Sequence, residues 1–217
     1  KAIGVGEGDE VITTAFTFYA TIGAIATTGA KPVFCDIGDD YNINPNEIEK
    51  KITSKTKAIV PVHWTGRPCE MDEIISISKK YNIPIISDSC HAIKAKYKNK
   101  SIGALGLSSC YSFHPLKNLN VWGDGGIITT NSDTLSDKLK LIRNHGLANR
   151  DECLEFAYNS RLDTIQAVVA RHLLKKIDFI TSSRVNHANY FDKNLRDVSQ
   201  IKIPNRNEDL YEVFHIY

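Results

Sequence analysis

The sequence predicts an α/β protein, a three-layer αβα sandwich built around a mainly parallel mixed sheet. Three observations carry that prediction. Short apolar runs rich in Ile and Val recur at residues 11–14, 32–36, 57–61, 84–88, 108–113 and 126–130. Gly, Pro, Asp or Asn bounds these runs, as expected of strands buried on both faces. Helical patterns lie between them, and strands alternating with helices form parallel sheets through right-handed crossovers.

The helices follow from local signals. Residues 20–29 form the first, with Gly29 as its C-cap. Residues 45–52 form the second, where Asn44 can cap the first turn and Pro45 suits the first helical position. The third, residues 71–81, sets Met71, Ile74, Ile75 and Ser78 on one stripe. Residues 132–145 carry Leu135, Leu139 and Ile142 on one face, with Gly146 beyond. From residue 163 to 195 the pattern is helical almost throughout, with Ile165, Val168, Val169, Leu173, Ile177 and Ile180 at helical spacing. That stretch predicts one long helix bridging two domains or packed at a subunit interface. Ile201-Lys202-Ile203-Pro204 then reads as an edge strand, and residues 213–217 as the start of another.

The predicted domains are residues 1–175 and residues 176–217. Both ends read as cut inside an element, so a segment of a longer protein is expected. Gly4-Val5-Gly6-Glu7-Gly8 is no dinucleotide fingerprint, because that motif needs a strand before it and a helix after it.

Composition narrows the function. The chain has 217 residues, 42% hydrophobic and 24% charged, which is ordinary for a soluble globular protein. Lys+Arg number 27 against Asp+Glu at 25, so no concentrated basic face for nucleic acid is expected. No apolar run approaches the roughly 20 residues of a membrane helix, and no signal-peptide pattern opens the chain. The five cysteines are scattered without zinc or redox spacing, which predicts no metal site and a reducing, cytoplasmic setting.

Four segments could do chemistry. Tyr111-Ser112-Phe113-His114-Pro115-Leu116-Lys117-Asn118, followed by Gly123-Asp124-Gly125-Gly126, puts a lysine in a polar loop just past a buried strand. Ligands of α/β sheets collect at such carboxyl ends, although most lysines are simply surface groups. Asp88 ends another strand, with His91 three residues on; it can cap a turn or face a ligand. Phe18, in Thr17-Phe18-Tyr19-Ala20-Thr21, can pack under a helix or stack on a flat ring. Asn159, in Tyr158-Asn159-Ser160-Arg161, reads locally as a turn or cap residue.

Together these residues suit one cofactor. A lysine condenses with an aldehyde, an aspartate pairs with a protonated pyridine nitrogen, and serine holds a phosphate. The chain resembles the pyridoxal-phosphate sugar aminotransferases of the DegT/StrS type, which are fold type I enzymes of the aspartate-aminotransferase superfamily. The likeness runs nearly end to end. It includes Gly8-Asp9-Glu10-Val11-Ile12, Thr17-Phe18-Tyr19-Ala20-Thr21, Gly29-Ala30-Lys31-Pro32-Val33-Phe34 and Pro61-Val62-His63 with Gly66. It continues through Asp88 with His91-Ala92, Ser112-Phe113-His114 with Lys117-Asn118, Gly125-Gly126, Asn159 with Arg161, and Gln166-Ala167.

The resemblance implies that Lys117 carries the cofactor aldehyde and moves a proton, and that Asp88 pairs with the ring nitrogen. It implies Phe18 on the ring face, His91 by the ring hydroxyl, Ser112 on the phosphate, and Asn159 on the phosphate of a neighbouring subunit. A homodimer with shared active sites follows. The implied reaction moves an amino group, from glutamate, to a keto sugar or sugar nucleotide in surface-polysaccharide or deoxyaminosugar synthesis. A deoxysugar dehydratase and a non-catalytic regulatory protein are alternatives on the same fold. Dehydratases of this kind replace the lysine with histidine, so Lys117 counts against the first. Trp64-Thr65 and Cys90 depart from the usual motifs. The family's Gly-Thr phosphate turn is expected upstream of Lys1, and its small domain beyond Tyr217.

Overall fold

The computed structural model describes residues 1–217. In chain order, the first half comprises β1 (Glu10–Thr14), α1 (Tyr19–Ala26), β2 (Lys31–Cys35), α2 (Pro45–Lys51), β3 (Thr56–Ile59), α3 (Met71–Tyr81) and β4 (Ile86–Asp88). There follow β5 (Lys96–Tyr97), β6 (Lys100–Ser101), β7 (Ser108–Ser112), β8 (Gly126–Thr130), α4 (Asp133–Ile142), α5 (Thr164–Leu174), α6 (Ile177–Leu195) and β9 (Leu210–Tyr211).

The main sheet runs in the order β2-β1-β3-β4-β7-β8. Its two three-stranded parts are joined by parallel bridges from Ile59 to Ile85 and from Val62 to Asp88. All neighbours are parallel except β7 and β8, which are antiparallel. The chain leaves β1 to one side for β2 and returns to the other for β3. The order therefore reverses beside β1, and a crevice opens at the strands' carboxyl ends at such a switch point.

Burial explains the central strands. In β1, Val11 packs with Val5, Ile25 and Ala30 on one face, while Ile12 joins Ile48, Met71 and Ile74 on the other. Both faces are thus apolar, as a strand covered by helices on each side requires. Truncating fully buried Ile74 to Ala would cost about 2–5 kcal/mol in lost transfer and cavity energy. A third cluster, Phe113, Leu119, Val121 and Ile177, lies under the Lys117 loop and fixes it against α6.

Caps behave as their residue types dictate. Asn44 accepts the Asn46 N–H at 3.0 Å at the start of α2, and Ser132 accepts the Leu135 N–H at 3.2 Å at the start of α4. Helix α1 is the exception: it ends at Ala26 with Thr27, not Gly29, at the C-cap, and Gly29 takes φ +90° in the turn beyond it.

Several expectations need correction. The single helix from 163 to 195 is two helices, α5 and α6, separated at Lys175-Lys176. The Lys176 N–H bonds the Leu173 carbonyl at 2.8 Å, which tightens the end of α5 with no Pro or Gly to mark it. Ile201–Pro204 forms no strand. Instead β9 pairs antiparallel with β5, and residues 213–217 continue from it without strand structure. Strand β8 is largely exposed and antiparallel, not buried on both faces. The β5–β6 hairpin carries no sequence signal, because its turn residues Lys98 and Asn99 take φ +46° and +63° without the glycine that usually marks such a turn.

Candidate active site

A cleft of about 470 Å³ opens at the carboxyl ends of the sheet strands, lined by Phe18, Asp88, His91, Ser112, Lys117 and His215 among others. Five of the six sequence-designated site residues therefore meet in one place. The cleft lies where the strand order reverses, so the fold itself puts it there.

Asp88 is held on three sides. Its backbone N–H donates to the Pro61 carbonyl at 2.9 Å, and its carbonyl accepts the His63 N–H at 3.0 Å, which locks the end of β4 beside β3. Its Oδ2 accepts the Thr21 hydroxyl at 2.7 Å, and its Oδ1 accepts the Cys90 N–H at 3.1 Å. Capping of the local turn and presentation to the cleft are thus both true of one carboxylate. Thr21 sits 2.7 Å away from it and 2.8 Å from the Thr17 hydroxyl, tying the start of α1 to Asp88. In the sequence Thr21 is only a part of the Phe18 motif; its role emerges from the packing of α1 over β4.

Lys117 follows β7 in a tight turn whose N–H donates to the His114 carbonyl at 2.8 Å. The Phe113 N–H reaches Gly125 O at 2.7 Å, and the Val121 N–H reaches Phe113 O at 3.1 Å, so buried Phe113 anchors the loop from below. A Cβ on Gly126 would lie 2.7 Å from the Tyr111 carbonyl, which is why the strand facing β7 begins with glycine. Burial pushes the Lys117 ammonium below the ordinary lysine range, and the nearby Cys90 and Asp88 pull it partly back. An amine so placed is a better base and nucleophile than a surface lysine.

Phe18 stands at the N-cap position of α1 without a side-chain cap bond and is 60% exposed at the cleft, rather than packed beneath the helix. Ser112 ends β7 at the cleft, its Oγ accepting the His114 N–H at 3.2 Å. His91 is buried, with its Nδ1 unpartnered, and burial together with Lys117 lowers it to about 4. Imidazole at that position is therefore neutral near pH 7.

Asn159 is not in this cleft. It bridges Asn144 in an exposed antiparallel pairing, and the cap position of α5 belongs to Asp163, so Asn159 does not cap that helix. Besides Thr21, the cleft rings of His215 and Trp64 escaped the sequence reading as site residues. His215 comes from the segment after β9, and Trp64 from the 3-10 turn after β3. Trp64 stood out only as an unusual motif residue, and His215 only as part of an apolar run.

The donor set fits pyridoxal phosphate. A part-buried amine, an anchored carboxylate, an exposed aromatic face and a hydroxyl share one cleft, with an unpartnered buried imidazole nitrogen beside them. No cluster of His, Cys, Asp and Glu suited to a metal is present.

Comparison with known proteins agrees. The model of the DegT/DnrJ/EryC1/StrS aminotransferase family matches residues 1–217. The chain is 44% identical over 220 residues to a "Pleiotropic regulatory protein" of Geobacillus stearothermophilus, covering all of this chain and 59% of that one. It is 41% identical over 198 residues to the UDP-2-acetamido-2-deoxy-3-oxo-D-glucuronate aminotransferase of Pseudomonas aeruginosa, covering 91% of this chain and 55% of that one. Among solved structures, DesV of S. venezuelae, in complex with a ketimine intermediate, superposes with a TM-score of 0.96 at 34% identity, covering 99% of this chain and 58% of that one. The chain thus spans less than two thirds of the length of these relatives. It belongs to the DegT/DnrJ/EryC1/StrS aminotransferase family, whose members depend on pyridoxal phosphate.

Proposed function

We infer that the protein carries the cofactor-binding part of an aminotransferase that moves an amino group from an amino acid, glutamate by family resemblance, to a keto sugar or sugar nucleotide. The observation that carries this reading is the pairing of Lys117 with Asp88 in one cleft on neighbouring strand ends. The Pseudomonas relative, named for amination of a UDP-sugar, supports a sugar nucleotide as acceptor. A cytoplasmic role in surface-polysaccharide or aminosugar synthesis is consistent with that substrate class, and no helix is long and apolar enough to cross a membrane.

When bound, pyridoxal phosphate supplies an aldehyde that ferries the amino group and a ring that accepts an electron pair. The chain's residues do the rest. Lys117 Nζ holds the cofactor between turnovers and moves the proton at the reacting substrate carbon. Asp88, anchored by Thr21 and the Cys90 N–H, keeps a proton on the ring nitrogen through its negative charge. Phe18 covers one ring face, and Ser112 offers its hydroxyl to the phosphate. Neutral His91 orients the ring hydroxyl without adding a competing positive charge.

Asn159 lies outside its own cleft on an exposed stretch with Phe156, which supports a homodimer in which Asn159 reaches the partner's phosphate. In that arrangement Asn159→Asp retains cofactor less well than Asn159→Ala, because a carboxylate faces a phosphate. Cofactor dissociation rates for the two variants test this, and equal rates oppose it.

A purely regulatory role has one observation in its favour, the name of the Geobacillus relative. The full-length protein, loaded with cofactor and glutamate and offered a panel of keto sugars, separates the readings. Amination of one acceptor supports the enzyme; bound cofactor without glutamate turnover supports regulation.

A further inference from the structure

Residues 213–217 run as a strap along the cleft wall, tied to three separate parts of the fold. The Val213 N–H donates to the Gly66 carbonyl at 3.1 Å, and the His215 N–H donates to the Thr65 carbonyl at 2.7 Å. Asn118, the neighbour of Lys117, donates its side-chain amide to the Val213 carbonyl at 3.1 Å. Arg184 of α6 donates to the carbonyls of Phe214 and His215 at 3.0 and 3.2 Å.

The turn that receives the strap is itself unusual. Thr65 holds φ 54° and ψ 10°, a left-handed conformation that a β-branched residue rarely adopts. Gly66, at φ +99°, leaves room for the strap, since a Cβ there would sit 2.8 Å from Val213 Cγ2 and 3.0 Å from the His91 carbonyl. Strain retained at a cleft rim points to a geometry the site needs.

That geometry ends at His91. The His215 ring lies 4.1 Å from the His91 ring at 32°, and the Trp64 indole lies 5.1 Å from it at 50°. Nδ1 of both histidines is buried without a hydrogen-bond partner, so packing fixes these ring faces. We propose that His215 is a positioning residue, which by packing on His91 from the strap sets how the His91 imidazole faces the cleft and keeps water from it. This deepens the aminotransferase reading and rests on it for the kinetic readout alone.

The groups facing the pair are few. Lys117 and Asp88 act on His91, while His91, Lys117 and Arg184 act on His215. Burial is the largest influence that lowers each ring. Opening the stack therefore raises His91 towards its ordinary value, while a flat apolar replacement leaves it low.

The test follows the His91 imidazole by NMR in cofactor-free, histidine-labelled full-length protein, and then measures the donor and acceptor half-reactions separately. His215→Ala should raise the His91 midpoint by about one pH unit or more, and His215→Phe by less than about a third of that. His215→Ala should also slow the glutamate half-reaction, which involves no sugar, by about tenfold, with His215→Phe restoring most of the rate. An unchanged His91 midpoint in His215→Ala overturns the proposal. So does a Phe variant that behaves like Ala, or a loss confined to the sugar half-reaction. Should His215→Ala fail to fold, through-space contact between the two labelled rings of the cofactor-loaded wild type decides: its presence sustains the proposal and its absence ends it. A wild type without glutamate turnover would instead refute the aminotransferase reading, leaving the titration to judge His215.

Discussion

On the sheet side of the cleft, Asp88 and Lys117 stand at neighbouring strand ends whose places follow from parallel pairing, with Asp88 opposite Cys110 and Lys117 a short loop beyond Ser112. On the strap side, His215 reaches the same cleft through a turn, an amide and an arginine drawn from distant parts of the chain. The sheet wall is fixed by backbone hydrogen bonds that any strand would make. The strap wall adds to its two backbone bonds, at Gly66 and Thr65, the side chains of Asn118 and Arg184. A site can thus inherit its charged chemistry from the fold and still rely on specific contacts for its finer geometry.

Substitutions test each wall separately. The largest effect is expected on the sheet wall: Lys117→Ala should lower amino transfer by at least about 10⁴-fold, removing both nucleophile and base. Its fold should persist, because the side chain faces the cleft. Asp88→Asn should still accept the Cys90 N–H on its oxygen and meet Thr21 by donating to its hydroxyl, but it loses the charge, lowering turnover by about 10²-fold or more. Steady-state kinetics with unfolding curves checks both. An unfolded Lys117→Ala would make that residue structural.

On the strap wall the expected effects are smaller. Arg206 binds Asp192 through two hydrogen bonds of 2.9 and 3.0 Å, reaches Glu212 at 3.0 Å, and lies over the Phe214 ring at 4.8 Å. Arg206→Met should cost about 1–3 kcal/mol, because buried Glu212 keeps Arg67 at 3.1 Å as a second partner. It should slow turnover only several-fold, by loosening the strap. A turnover loss as deep as that of Asp88→Asn would erase the distinction between the walls.

The last effect is on stability alone and concerns the support beneath both walls. Fully buried His63 accepts the Cys69 N–H on Nδ1 at 3.0 Å, a bond only the neutral ring can make there, and burial lowers it to about 4. In the unfolded chain it titrates near 6.5, so the unfolded state takes up the proton first as pH falls. Its contribution is complete above about pH 6.5 and is lost towards pH 4, at about 1.4 kcal/mol per pH unit. Unfolding midpoints at pH 7 and 5 should therefore fall more steeply for wild type than for His63→Gln, which can still accept the Cys69 N–H. Parallel slopes would contradict the assignment.

The two walls also differ in how far the sequence discloses them. The runs ending at Asp88 and preceding Lys117 have clear strand patterns, and their chemistry sits within a few residues of each strand end. Periodicity and composition suffice for that. His215 lies 98 positions beyond Lys117 in a stretch that reads only as apolar and aromatic. Its place depends on bonds such as Asn118 to Val213, 95 residues apart, which no local pattern encodes. The same limit hid the break between α5 and α6, where no Pro or Gly stands, and the β5–β6 hairpin, whose turn uses Lys98 and Asn99. It also misplaced the late strand, because Ile201–Pro204 looked apolar enough to pair while Leu210 and Tyr211 found the partner.

Everything assigned to this cleft turns on Lys117 as the residue that carries the cofactor. The most direct measurement incubates the full-length protein with pyridoxal phosphate, reduces it with borohydride, and maps the labelled peptide by mass spectrometry. A single modified lysine, Lys117, is expected, with the label lost in Lys117→Ala. A label on another lysine, or an equal label in Lys117→Ala, would contradict it.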